Sequence, residues 1–108
     1  MQSEKIAEGK QLARDMCHEM MVPYEIMMGE SRGSIDVADA RSVVMAALRF
    51  GKGYGSTLIG KVMNRHHSTM YNSVIVYKDV LRKDYEEVVM KHLSVEERET
   101  YYKNLPGV

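Results

Sequence analysis

The stretch GSTLIGKVMNRHHSTMYNSV, residues 55–74, decides how this chain is expected to fold. Four apolar residues at helical spacing run through its first part: Leu58, Ile59, Val62 and Met63. A second apolar stripe begins after a polar break and continues past the quoted stretch: Met70, Val74, Tyr77 and Leu81. A short helix, a tight connection and a longer amphipathic helix over residues 56–82 have the dimensions of a helix-turn-helix.

Helical periodicity also covers most of the remaining chain, and no run of alternating residues is long enough to predict a strand. A first helix is predicted from residue 3 to about 22, where Pro23 stops it. A short helical turn follows and is closed by Gly29. The next helix is predicted over about 37–50. We therefore expect an all-α fold of five to six helices in a single domain, residues 1–108.

Helix ends are predicted from residues that can cap them. Asp36 is expected to cap the helix at 37–50, and either Ser56 or Thr57 the short helix that follows. Asn64 is expected to cap the longer helix. An extra C-terminal helix is predicted at about 94–104, because Ser94 and Glu97 form a capping box and Pro106-Gly107 closes the segment.

Composition limits the class of protein. The chain has 108 residues, which fits one small domain, and no run approaches the roughly 18 apolar residues of a membrane span. The first residues, MQSEKIAEGKQLARD, are charged and unlike a signal peptide. Cys17 is the single cysteine and cannot form an internal disulfide, which favours the cytoplasm. Ten methionines beside one phenylalanine predict a core filled by flexible methionine side chains.

The charge is unevenly distributed, although the formal net charge is zero. Residues 41–83 carry eight basic groups and one acidic group, a net charge of +7, whereas residues 1–40 and 84–108 are net negative. A polyanion responds to local charge more than to the sum over the chain. The basic centre therefore makes nucleic acid a candidate partner.

Two patterns in the opening stretch resemble catalytic or ligand motifs without completing them. GSTLIGKV (55–62) nearly matches a phosphate-binding loop, but Val62 replaces the magnesium-binding hydroxyl and no strand precedes it. His66 and His67 suggest a metal pair, yet helical neighbours point about 100° apart and residues 64–76 contain no carboxylate. Ser68 and Thr69 have no convincing base nearby. We expect no enzyme activity, no nucleotide, no metal and no cofactor.

The polar break is better suited to contact DNA. In a helix-turn-helix the first residues of the second helix meet base edges in the major groove. Arginine can grip phosphate or guanine, histidine can donate or accept, and the threonine methyl can touch a thymine methyl. An exposed helix start also offers free backbone N–H groups to a phosphate. We expect the second helix to start at Arg65 and to present His66, His67, Ser68 and Thr69.

The segment IGKVMNRHHSTMYNSV resembles the C-terminal DNA-binding domain of the bacterial replication initiator DnaA, whose signature is close to I-G-x-x-F-G-G-R-D-H-[ST]-T-V. Six residues match the signature when the single Asn64 takes the place of its two glycines: Ile59, Gly60, Arg65, His67, Ser68 and Thr69. The upstream stretch DARSVVMAAL is similar to the family's R-P-R-Q-x-A-M-x-L helix, with Arg41 and Met45 in register. The resemblance covers about residues 10–92. It implies an all-α, Trp-repressor-like fold and a role in replication initiation or its regulation.

The resemblance also implies positions for the contacts with double-stranded DNA. It places His67, Ser68 and Thr69 towards the bases. We expect His66 and Asn72 to face bases as well, so the base-facing set is His66, His67, Ser68, Thr69 and Asn72. The set facing phosphates and the backbone is Arg32, Arg41, Arg49, Lys61, Arg65 and Lys78, in which the two lysines are included for their charge alone. The protein is expected to act as a monomer or weak dimer in the cytoplasm.

Some residues depart from the family pattern. His66 occupies the position of an aspartate, so a donor replaces an acceptor and a different DNA site is expected. The family's basic loop carries only Arg32 here, beside Asp36 and Asp39. These acidic residues motivate an alternative, a protein-interaction module that keeps the fold and has lost DNA binding. RNA is a weaker candidate because no platform of base-stacking aromatic residues is visible.

Overall fold

The computed structural model describes residues 2–29 and 33–105, and all regular secondary structure in these two ranges is helical. The seven α-helices are α1 (Gln2–Met20), α2 (Tyr24–Met28), α3 (Ile35–Ala46), α4 (Ser56–Met63), α5 (Thr69–Val76), α6 (Arg82–Lys91) and α7 (Val95–Asn104). A π-helical turn, Ala47–Gly51, extends α3, and a second, Tyr77–Leu81, joins α5 to α6 without a break. The described residues thus form six continuous helical segments, which confirms the all-α prediction.

Several predicted helix ends are confirmed. α1 ends at Met20, Met21 follows with a positive φ of 59°, and Pro23 is the N-cap of α2. Gly29 ends α2, as expected. At the start of α7, the Ser94 hydroxyl accepts from the backbone N–H of Glu97 at 3.1 Å, and the Glu97 carboxylate accepts from the N–H of Ser94 at 2.9 Å. The capping box therefore forms as predicted, while Pro106-Gly107 lies outside the described residues.

Three predicted caps are wrong. Ser34, not Asp36, caps α3, since its hydroxyl accepts from the N–H of Val37 at 3.4 Å. Gly55 precedes α4 as its N-cap, so neither Ser56 nor Thr57 has that role. Asn64 ends α4 in a left-handed conformation (φ 54°, ψ 47°) and does not begin the next helix.

The core lies between α1, α3 and the long helix formed by α5 and α6. The second apolar stripe of the opening stretch points into it: Met70 and Tyr77 are fully buried, Leu81 is buried and Val74 is half-buried. The prediction of a methionine-rich core is also confirmed, because five methionines are at most 1% exposed: Met16, Met27, Met45, Met63 and Met70. Cys17 lies among them, and its thiol donates to the sulfur of Met27 at 3.4 Å.

The C-terminal helix α7 packs across the first π-helical turn and is anchored by polar contacts. Tyr101 is fully buried, and its hydroxyl donates to the Glu86 carboxylate at 2.7 Å. The Tyr77 hydroxyl lies 2.7 Å from that of Tyr101, so two buried phenols and a carboxylate form one chain of hydrogen bonds. Lys52 pairs with Glu97 at 2.9 Å. α7 is thereby an integral part of the fold.

Across the two described ranges, no helix combines the length and the apolar character that crossing a bilayer requires.

Candidate nucleic-acid interface

α4 and α5 are joined by residues 64–68, which we call the connection. The left-handed backbone of Asn64 turns the chain away from the axis of α4. The N–H of Asn64 and that of Arg65 both donate to the carbonyl of Gly60, the latter at 2.9 Å. Asparagine tolerates this conformation better than most residues with a side chain. The turn between the two helices is therefore fixed by α4 itself.

Position 60 requires a glycine because the backbone of the connection lies very close to it. A Cβ atom at this position would lie 2.8 Å from the carbonyl oxygen of Arg65 and 3.3 Å from the backbone of His67. These neighbours are backbone atoms, which no side-chain rotation can move aside. The glycine therefore lets the connection lie directly on α4, a role unrelated to the phosphate-binding loop that its sequence context suggests.

The predicted start of the second helix is wrong by one turn. α5 begins at Thr69, not at Arg65. The first three N–H groups of α5 each donate to the carbonyl three residues earlier. Thr69 donates to His66 at 3.0 Å, Met70 to His67 at 3.4 Å and Tyr71 to Ser68 at 3.3 Å. These donors are already used, so the expectation of free N–H groups for a phosphate is also wrong.

His66 and His67 lie in the connection with their rings against each other. The ring centroids are 4.2 Å apart and the planes are tilted by 31°. The Nδ1 atom of His66 lies 2.8 Å from the hydroxyl of Ser68 and also accepts from its backbone N–H at 3.3 Å. Both histidines are exposed. Within the described residues, no three histidine, cysteine or acidic side chains come together as a metal-holding group.

The five residues predicted to face bases are all exposed on the connection and on the first turns of α5: His66, His67, Ser68, Thr69 and Asn72. Two further exposed residues on α5, Tyr71 (54% exposed) and Ile75 (55% exposed), escaped the prediction. Helical spacing gives a signal for them, because Ser68, Tyr71, Asn72 and Ile75 follow the pattern i, i+3, i+4, i+7 that shares one helix face. We call these four residues the outward stripe.

Arg41 and Arg65, predicted to face phosphates, direct their guanidinium groups to the end of α2. Arg41 donates to the carbonyl of Met27 at 2.7 Å and to that of Gly29 at 3.2 Å. Arg65 donates to the carbonyls of Met27, Met28 and Gly29. The last carbonyls of a helix carry partial negative charge, which suits two cations. Burial, and then the neighbouring charge of Arg65, lower the pKa of Arg41. Both arginines thus have a structural role in addition to any DNA contact.

The other residues predicted to face the DNA backbone are dispersed over the surface. Lys61 lies beside the connection, is exposed, and donates to the side chain of Gln2 at 2.8 Å. Arg49 donates to the carbonyl of Tyr54 at 3.3 Å. Lys78 is exposed on the second π-helical turn. Arg32 lies outside the described residues. Among these cations, Lys61 shares a shallow groove with His66 and His67, between α4 and the connection.

Comparison of the chain with protein-family models, with curated proteins and with solved structures finds no match.

Proposed function

We propose that the protein is a non-catalytic, sequence-preferring domain that binds double-stranded DNA. In this proposal α4, the connection and α5 act as a helix-turn-helix, and α5 enters the major groove. The resemblance of residues 59–69 to the DNA-binding domain of DnaA supports it and suggests a role in replication initiation or its regulation, as a cytoplasmic monomer or weak dimer. The different residue at His66 suggests a site other than the DnaA box.

One observation carries the proposal. The side chains of the connection and of the first turns of α5 are exposed together, and they offer both donors and acceptors: His66, His67, Ser68, Thr69 and Asn72. A helix with polar groups at its exposed start is the form in which base edges are recognised in the major groove. Lys61 adds a positive charge at the groove of the protein between α4 and the connection.

Fluorescence-polarisation titration with duplex DNA over a range of salt concentrations tests the proposal. Binding should weaken steeply with salt, because phosphate contacts release counterions. Lys61→Gln should reduce the slope of log affinity against log salt by about 1. Lys103→Gln is the matched control, since Lys103 is exposed near the end of α7, and it should leave the slope unchanged. No binding of any duplex at micromolar protein and low salt would refute the proposal.

Base contacts are tested on a site enriched from a random duplex library. His67→Ala and Thr69→Ala should each weaken binding to that site by roughly 1–3 kcal/mol and weaken binding to unrelated duplexes less. His18→Ala, an exposed histidine on α1, should bind like the wild type. Equal loss on all sequences would show that these two residues do not face bases.

The second candidate function is protein interaction, and the exposed Tyr71 and Ile75 favour it. Large apolar side chains that remain exposed on one helix face are often covered by a partner. In this case the same titration finds no DNA binding.

A further inference from the structure

We infer that Asn72 and Ile75 are further specificity-determining residues of the interface, beside His67 and Thr69, and that they recognise A·T base pairs. The Asn72 carboxamide would bond the N6 and N7 atoms of an adenine, and the Ile75 side chain would cover the C5-methyl group of a thymine. This inference rests on the proposed function, and it names the chemistry that the domain selects within the duplex.

The placement of the outward stripe is the first argument. Ser68, Tyr71, Asn72 and Ile75 are all exposed on one face of α5, which is opposite to the buried Met70 and Tyr77. Recognition helices of other DNA-binding folds use the same i, i+3, i+4, i+7 spacing to bring side chains to base edges. The stripe spans about 10 Å at 1.5 Å per residue, which fits a major groove about 12 Å wide.

The face of the outward stripe becomes charged further along the long helix. One turn beyond Ile75, the face continues with Lys78 and Asp79, which are both exposed. Lys78 attracts a phosphate at the border of the groove, whereas the Asp79 carboxylate repels one. Asn72 and Ile75 therefore lie before the point at which this face becomes charged.

Asn72 has the chemistry and the freedom for adenine. Its carboxamide makes no hydrogen bond to any part of the chain that the structure describes, so both its donor and its acceptor remain available. An amide presents one donor and one acceptor side by side, which matches the N7 acceptor and N6 donor of adenine in the major groove.

Ile75 has no structural reason for its apolar side chain. Its neighbours Val74 and Val76 are partly buried against the core, whereas Ile75 is 55% exposed. In the major groove, only thymine presents a methyl group, and apolar side chains distinguish it by contact. Tyr71, one turn earlier, is tethered to α4 by a hydrogen bond from its hydroxyl to Ser56 at 3.4 Å. Ile75 is thus the apolar residue of the stripe that remains unattached.

Base analogues test the inference atom by atom on a duplex enriched from a random library. Deoxyuridine lacks only the C5-methyl group of thymidine, and at one position it should weaken wild-type binding about 4-fold, the value of one buried methyl group. The same change should have almost no effect on Ile75→Ala. In the same way, 7-deazaadenine, which lacks the N7 acceptor, should at one position weaken the binding of the wild type about 10-fold. It should weaken the binding of Asn72→Ala much less. Val95→Ala is the control and should respond like the wild type, because Val95 is a similarly exposed apolar residue at the start of α7.

The outcomes separate this inference from the proposed function. If the wild type binds no duplex, the proposed function fails. If it binds an enriched site but deoxyuridine has no effect at any position, or has the same effect on Ile75→Ala as on the wild type, the assignment of Ile75 is overturned while DNA binding stands. An enriched site without any A·T pair would overturn both assignments. Circular dichroism of each variant confirms its fold, which these exposed positions should leave intact.

Discussion

Gly60→Ala is the substitution that most directly tests the geometry of the connection. In an exposed helix interior, replacing glycine by alanine raises stability by about 1 kcal/mol, because alanine restricts the unfolded chain and favours the helix. At Gly60 the new methyl group would lie 2.8 Å from the carbonyl oxygen of Arg65, whereas ordinary contact begins at 3.4 Å. The clash therefore opposes the gain in helix propensity.

The size of the effect follows from these two opposing terms. Overpacking by one methyl group costs about 1–3 kcal/mol when the surroundings cannot adjust. Here the obstacle is backbone, and its residue, Arg65, is held by its guanidinium on the last carbonyls of α2. After subtraction of the helix gain, we expect a net loss of about 1 kcal/mol, or about 4 °C in melting temperature for a domain of this size.

Urea unfolding followed by circular dichroism measures the change, and NMR signals of the His66 and His67 rings report whether the connection moves. Gly55→Ser is the matched control. A Cβ atom at Gly55 meets nothing within 4 Å, and serine is a good residue for this N-cap position, so stability should be equal or slightly higher. If Gly60→Ala were instead more stable than the wild type by about 1 kcal/mol, the connection could not pack on α4 as described.

Three further predictions concern the core and the C-terminal helix. In urea unfolding, Tyr101→Phe should lower the free energy of unfolding by about 2 kcal/mol and Tyr77→Phe by about 1 kcal/mol. The reason is that the Tyr101 hydroxyl bonds both Tyr77 and the Glu86 carboxylate, whereas that of Tyr77 bonds Tyr101. Equal losses would contradict the chain of hydrogen bonds. Ser94→Ala should cost about 1 kcal/mol in the same assay through loss of the Glu97 capping box, and an unchanged midpoint would argue against that box. Burial, and then the charge of Glu25, raise the pKa of the Cys17 thiol to about 11, so the folded protein should react slowly with a disulfide reagent at pH 8 and rapidly in denaturant. Rapid labelling of the native protein would refute the buried position. The stability supplied by the protonated thiol is complete below its unfolded pKa of about 8.5 and is lost as the pH rises through about 11. Cys17→Ala should therefore flatten the alkaline decline in the free energy of unfolding.

Local sequence patterns predict most of the fold because burial of a helix face is a local property. The spacing of Met70, Tyr77 and Leu81 predicts one buried face, and all three are buried. Pro23 and the capping box at Ser94 act within a few residues of their own positions, and both predictions are confirmed. The exposure of the five predicted base-facing residues also follows from their polarity.

Features that depend on distant partners or on backbone detail could not be predicted. Arg65 bonds carbonyls 36–38 residues away, so its sequence neighbours contain no sign of that role. Asn64 suits both an N-cap and a left-handed C-cap, and the choice is made by the packing of the connection on Gly60. The π-helical turn Tyr77–Leu81 joins α5 to α6, so that the helix continues to Lys91, and the spacing of the apolar residues does not predict this turn.

The methionine-filled core makes the protein's oxidation state matter for its fold. Conversion of a buried methionine to its sulfoxide places a polar group where none can be solvated. Met21, 90% exposed, can accept an oxygen atom without harm to the packing, whereas Met16, Met27, Met45, Met63 and Met70 are shielded while the chain is folded. Peroxide therefore reaches these five only in unfolded molecules, and each one oxidised makes refolding less favourable. Under oxidative stress the loss of native protein would proceed through molecules that happen to unfold, and a sulfoxide reductase acting on the unfolded chain would reverse it.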